Sequence, residues 1–298
     1  MFTRSPSRGN TGYYQRIETP VQRSAHPENP RPLGPTSLDP SSGGYAERVA
    51  ARFGSHRPSV AGVAVGVTGY LVMAAILLAA AYIVIHLLVS GSVGAWDNGV
   101  NRWFVTVRTP SLDSATAVGS AFGGAPVVIG LGLVTGIGLA IARLWRAVGF
   151  LATGLLIETT VFLTTATVLY RPRPPVPKLE SSPPTSSFPS GHTAAAIVLY
   201  VSLAIIVGTL TRSSLLRALA WILAIVIPVS VGVSRMYRGM HHPTDVLGAC
   251  VLGVGALLFA MLAARTAGAV GKRRTEEDPR ATDHPRSEPP VRAAAGAG

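Results

Sequence analysis

Cysteine, lysine and charge are all scarce in this chain of 298 residues. A single cysteine, Cys250, excludes an intrachain disulfide, and a lone thiol builds no metal site. Two lysines, Lys178 and Lys272, stand against 24 arginines. Only 13% of residues are charged, and the apolar ones gather in long runs, which places the chain in the membrane class rather than the soluble one. No internal repeat, no metal-ligand cluster and no nucleic-acid motif is present. The net charge of +12 therefore needs an explanation other than nucleic-acid binding.

What is there is apolar length. A spanning helix needs about 20 mostly apolar residues. Six stretches qualify: Val60–Leu88, Ser114–Ala142, Trp145–Tyr170, Thr193–Leu210, Leu215–Val233 and Thr244–Ala264. Most lack the polar face that a buried helix of a soluble core carries. The expected fold class is all-α, a six-transmembrane-helix bundle over residues 59–265. Residues 1–58 and 266–298 are rich in Pro, Ser, Gly and Arg or in mixed charge, without apolar period, and read as disordered tails. The N-terminal stretch lacks the pattern of a cleaved signal peptide, so the first span is expected to stay as an anchor.

The arginines set the orientation. Arg48, Arg52 and Arg57 precede span one. Arg143 and Arg146 join spans two and three, Arg212 and Arg217 join spans four and five, and Arg265, Lys272, Arg273 and Arg274 follow span six. With six spans all of them fall on one side, which is then cytoplasmic together with both termini. The expected location is the cell membrane, multi-pass. The net charge follows from this topology and the basic tails.

Three polar stretches fall on the opposite side. "YRPRPP", Tyr170 to Pro175, stops span three with prolines and leaves Arg171 and Arg173 at the surface. In "PSGH", Pro189 to His192, Ser190 suits a helix N-cap and Gly191 permits a close backbone approach. His192 then sits in the first turn, where free N–H groups and the helix dipole favour an anion. In "SRMYRGMHHPTD", Ser234 to Asp245, His241 and Asp245 are four apart and share a face if the helix is continuous. A carboxylate on one imidazole nitrogen frees the other to attack. Taken singly, these stretches are interfacial anchors, a helix cap and a polar loop. Taken together, they offer arginines, a helix N-terminus, two histidines and an aspartate at one surface, which is an anion site with a nucleophile and an acid–base partner.

These residues resemble the signature of the type 2 phosphatidic acid phosphatase (PAP2) superfamily, Lys-x6-Arg-Pro, Pro-Ser-Gly-His and Ser-Arg-x5-His-x3-Asp. The second part is complete as Pro189-Ser190-Gly191-His192, and the third as Ser234-Arg235, His241 and Asp245. In the first part Arg173-Pro174 fits, but Ala166 occupies the lysine position. The resemblance covers about Val60 to Ala264. It implies a metal-independent lipid phosphatase without cofactor, acting at the extracytoplasmic face. His241 would form a phosphohistidine, Asp245 would orient it, and His192 would serve as general acid and base. Arg173, Arg235, Ser190 and the Gly191 N–H would hold the phosphate. Arg171 is the expected substitute for the lysine, with Lys178 and Arg238 as alternatives.

By analogy with bacterial members, the implied substrate is an isoprenyl diphosphate such as undecaprenyl diphosphate. Phosphatidate and phosphatidylglycerophosphate are the alternatives within the family. A non-catalytic PAP2-like protein that binds or transports lipids is the competing class, supported by the missing lysine and opposed by the intact His192, His241 and Asp245. A soluble haloperoxidase with the same motifs is excluded by the spans. Glu158, inside span three, reads as a packing residue near Thr159 and Thr160, with a functional carboxyl as the alternative. Nothing in the sequence sets an oligomeric state.

The topology is testable directly. A reporter active only outside the cytoplasm is expected to work when fused within residues 176–186 and to fail at the C-terminus. The reverse pattern would put the polar stretches on the wrong side.

Overall fold

The computed structural model describes residues 37–54, 56–181 and 184–277. Among these residues all regular structure is helical. A short helix, α1 (Tyr45–Ala50), precedes α2 (Pro58–Tyr82), which runs on through a π-helical turn to Leu88. There follow α3 (Ser92–Thr106), α4 (Pro110–Ala121), α5 (Ala125–Ile141), α6 (Trp145–Val168), α7 (Gly191–Leu210), α8 (Ser214–Tyr237) and α9 (Pro243–Glu277). Among the described residues, five helices are individually long and apolar enough to cross a membrane: α2 with its π turn, α6, α7, α8 and α9. The pair α4 and α5 passes the same test together, bent by 41°.

That bend departs from the single span expected over Ser114–Ala142, and its cause lies in the break at Phe122–Gly124. Gly123 faces the first turn of α7 so closely that a Cβ there would stand 2.5 Å from the His192 carbonyl oxygen and 2.7 Å from Val231. Only glycine lets the two backbones meet. Pro126, just inside α5, restarts the helix in a new direction. The kink therefore brings α5 alongside the head of α7, and this contact closes one side of the site described below.

The centre of the bundle is built by α7 and α9, which carry the most buried residues. Small residues make the close packing possible: Ala249, Ala256 and Ala260 of α9 are fully buried, as are Ala194 and Ala196 of α7. Leucine, valine and isoleucine side chains on α2, α5 and α8 face outward, where lipid takes the place of a core partner.

Helix and packing reach past the apolar spans at both ends. The final helix continues past Ala264 to Glu277, and residues 37–54 pack along it. Ala50 and Ala61 are buried against Ala269 and Val270, with Phe53 beside them. Arg265 donates to the Ser37 carbonyl oxygen at 2.9 and 2.7 Å, and Arg146 pairs with Asp39 at 2.7 Å. These contacts need no apolar periodicity, because arginine forks on backbone carbonyls and a few alanines make them. The remainder of both tails lies outside the described residues.

Candidate active site

All three polar stretches meet at one end of the bundle. α6 stops at Val168 and its C-cap, Leu169, is extended. Prolines 172, 174 and 175 keep the chain out of a helix, and residues 171–181 and 184–190 lie across the bundle end before α7. α8 ends at Tyr237. The chain then reverses at Gly239, whose φ of +73° favours glycine, and Pro243 opens α9. His241 and Asp245 are thus carried by a turn and a new helix rather than by one continuous helix.

Between these segments lies a cavity of about 480 Å³. Its polar lining includes Arg173, Arg235, His192, His241 and Glu180, with Gly191 at the head of α7. A larger groove of about 590 Å³ between α2 and α6 has no histidine, arginine or carboxylate in its walls, so it offers no comparable chemistry. Arg173 donates through Nη1 to the Met240 carbonyl oxygen at 2.8 Å. Arg235 donates through Nη1 to Ser120 Oγ at 2.9 Å and pairs with Glu180. Each guanidinium keeps a buried Nε–H without a partner. Unsatisfied buried donors of this kind are costly unless a ligand takes them.

His241 is buried, and its ring is fixed by Nδ1, which lies 2.8 Å from the Ser187 carbonyl oxygen. A carbonyl only accepts, so Nδ1 carries the proton and Nε2 holds the lone pair. The expected orienter, Asp245, stands further off, its Oδ2 3.6 Å from Nδ1. That oxygen instead accepts from the His242 backbone N–H at 2.8 Å. The direct tautomer-setting bond therefore comes from Ser187, while Asp245 holds the turn and supplies charge. Burial lowers the basicity of the His241 imidazole, with the Asp245 carboxylate opposing, which favours the neutral ring.

Ser190 is the N-cap of α7, but its hydroxyl bonds to Thr193 Oγ1 at 3.0 Å and caps no backbone N–H. The first-turn N–H groups gain nothing from that side chain and remain suited to an anion.

Arg171 departs most from expectation. It does not line the cavity. Its Nη2 pairs with Asp97 at 2.7 Å, and its Nη1 pairs with Asp245 and donates to Thr244 Oγ1 at 2.7 Å. Asp97 is 1% exposed, Arg171 2% and Asp245 0%. A guanidinium held by two buried carboxylates is a structural clamp and not a substitute for the missing lysine. Arg238, the other candidate, is spent on Glu180 at 2.9 Å and on two backbone carbonyls. Lys178 is not among the residues lining the cavity. The cavity's guanidinium groups are therefore Arg173 and Arg235.

Three residues of the site were not legible as such in the sequence. Asp97 lies on α3, between the first two expected spans, and accepts from the Thr244 N–H at 3.0 Å and hydroxyl at 2.6 Å. Glu180 bridges Arg235 and Arg238. Burial works to raise its pKa, but the two arginines outweigh that and hold the carboxyl below its usual value. Glu158, read as a packing residue, lies with Thr159 in the cavity wall.

Residues 143–269 match the family model of the PAP2 superfamily. Over 77 residues, 26% of this chain and 37% of the relative, the sequence is 44% identical to phosphatidylglycerophosphatase B of Bacillus subtilis (strain 168). Over 86 residues, 29% of this chain and 37% of the relative, it is 34% identical to the bacitracin transport permease protein BcrC of Bacillus licheniformis. The aligned stretches thus span little more than a third of each curated relative. In structure, the chain is similar to the transmembrane PAP2 type phosphatidylglycerolphosphate phosphatase from Bacillus subtilis. The TM-score is 0.51 and the identity 26%, over 64% of this chain and 93% of that one.

The two arginines of the proline-rich segment should separate in experiment. Arg171→Ala leaves Asp97 and Asp245 buried without their cation, a loss of about 3–5 kcal/mol, or roughly 10 °C in melting temperature. Arg173→Ala is expected to leave melting unchanged and to abolish protection of the protein by inorganic phosphate. Equal melting temperatures for the two variants would contradict the clamp.

Proposed function

We propose that this chain, a member of the PAP2 superfamily, hydrolyses a phosphate ester of a membrane lipid through a phosphohistidine intermediate at the extracytoplasmic face. The observation that carries the reading is the cavity itself. It joins two guanidinium groups, a helix N-terminus and two histidines, one with its Nε2 lone pair free. A binding protein needs the first two features and has no use for the third, which weighs against a non-catalytic lipid carrier. The distribution of arginines between the span ends supports the extracytoplasmic side.

In this mechanism the phosphate rests against Arg173, Arg235 and the first-turn N–H groups of α7. His241 Nε2 attacks phosphorus, and the bond from phosphorus to the lipid oxygen breaks. His192 donates a proton to that oxygen as it leaves. The neutral His192 then takes a proton from a water molecule, which attacks the phosphohistidine and releases inorganic phosphate with His241 restored. Fixed donors around the transferred group stabilise the charge of the transition state, the main source of catalysis in phosphoryl transfer. Asp245 acts on His241 through its charge and through the turn it holds. Ser190 acts through its position at the helix head.

Two lipid classes suit the family. One is an isoprenyl diphosphate such as undecaprenyl diphosphate, the class implied by analogy with bacterial members. The other is a phosphorylated glycerolipid, of which the Bacillus subtilis relative's name gives an instance.

The leaving group tests the division of labour between the histidines. His192→Ala should slow phosphoenzyme formation from a lipid alcohol ester by about 10²–10⁴-fold, the usual range for general acid catalysis. With an activated aryl phosphate the same step should be little affected, because that group leaves unprotonated. His241→Ala should abolish turnover of both. Equal losses for His192→Ala on both substrates in the pre-steady-state burst, with His241→Ala retaining one, would reverse the two roles.

A further inference from the structure

Glu158 stands in the middle of α6 and is only 3% exposed. Its hydrogen bond is a local one, from Thr159 Oγ1 to Oε2 at 3.1 Å. A carboxyl at that depth is costly and marks a functional group by default. The mechanism above does not use it, yet Glu158 and Thr159 line the same cavity as His192, His241 and Arg173.

The packing of α6 on α7 sets how near Glu158 comes to the reacting centre. A Cβ placed on Gly191 would lie 3.0 Å from the Phe162 ring, so Phe162 abuts the head of α7. Glu158 precedes Phe162 by four residues. It therefore shares that face of α6, about 6 Å further along the helix axis. A substrate held at Gly191 and His192 would have this interval, within the same cavity, open to the atoms that follow its scissile oxygen. The remaining walls here are apolar, from Val128, Ile129 and Ala195. A leaving group thus meets one polar feature, the Glu158–Thr159 pair.

Charge balance points the same way. Arg173 and Arg235 are the guanidinium groups that line the cavity. Arg235 is already paired with Glu180, and Ala166 stands where the signature has lysine. A phosphate monoester brings one phosphate to these groups. A diphosphate brings a second, charged phosphate as the leaving group, into the part of the cavity that holds a carboxyl and no cation.

We propose that Glu158 and Thr159 form the subsite for the leaving alcohol and exchange hydrogen bonds with a hydroxyl on the carbon next to the ester carbon. The favoured substrate class is then a lipid phosphate monoester with a glycerol-like hydroxylated end, in preference to an isoprenyl diphosphate. This rests on the phosphatase reading and narrows it.

The test uses the purified full chain in detergent with three probes: 1-oleoyl-lysophosphatidate, its 2-deoxy analogue and farnesyl diphosphate. A site built to bond a hydroxyl penalises the analogue that lacks it, so wild-type kcat/KM should favour lysophosphatidate over the deoxy analogue by about tenfold or more. Glu158→Leu should bring that ratio close to one. Glu158→Gln, which keeps a donor and an acceptor, should retain part of it. The ratio is taken within one preparation, so a loss of folded protein cancels. A wild-type ratio near one, or an unchanged ratio in Glu158→Leu, would overturn the subsite while phosphate release upheld the phosphatase. Farnesyl diphosphate cleaved faster than lysophosphatidate by the wild type would overturn the substrate class. Release of phosphate from none of the probes would overturn both.

Discussion

The arrangement depends on one buried cation. Arg171 leaves the end of α6, is gripped by Asp97 from α3 and Asp245 from α9, and shares Thr244 with Asp97. Buried charges survive only when paired and hydrogen-bonded, and each of these three is paired with another. The clamp ties three distant parts of the chain into one corner. It fixes Asp245, whose other oxygen holds the His242 N–H and so shapes the turn that presents His241. Asp245 also returns a backbone bond, its carbonyl accepting from the Ser190 N–H at 3.1 Å. The head of α7 and the nucleophile are thereby registered against the same residue.

On the other side of this corner, cations and anions are finely apportioned. Arg173 and Arg235 face the cavity, while Glu180 moderates Arg235 from the connecting segment and Glu158 faces inward from α6. An incoming phosphate must share Arg235 with Glu180 or displace it, and Glu180 is tied to Arg238 as well. Glu180 therefore weakens the pull of Arg235 on an anion, which the proposed turnover, with its release of inorganic phosphate, would favour.

Much of this was legible in the sequence. Apolar length gave the spans, and Pro189 to His192 with Ser234 to Asp245 gave the histidines and Arg235, because these motifs are short and their spacing is fixed by local backbone. Arg171 was misread because spacing alone does not say which way a side chain turns. Proline-rich chain favours three residues per turn, so residues two apart do not share a side, and Arg171 and Arg173 diverge to different partners. The bend at Gly123 was hidden because a glycine pair within an apolar run looks the same in a straight helix. Asp97 and Glu158 take their meaning from helices far away in sequence, α9 and α7 respectively, and no local pattern carries that information. Ser187 acts through a carbonyl oxygen, which every residue has.

The central claim is that His241, with Nδ1 held by Ser187, attacks phosphorus through Nε2. The most direct measurement is to quench the enzyme within its first turnover of a lipid phosphate and map any phosphopeptide by mass spectrometry. The account predicts one phosphorylated residue, His241, in an amount that rises and decays ahead of free phosphate. Phosphate on His192, His242 or Ser190, or none on the protein at any time before steady state, would contradict it.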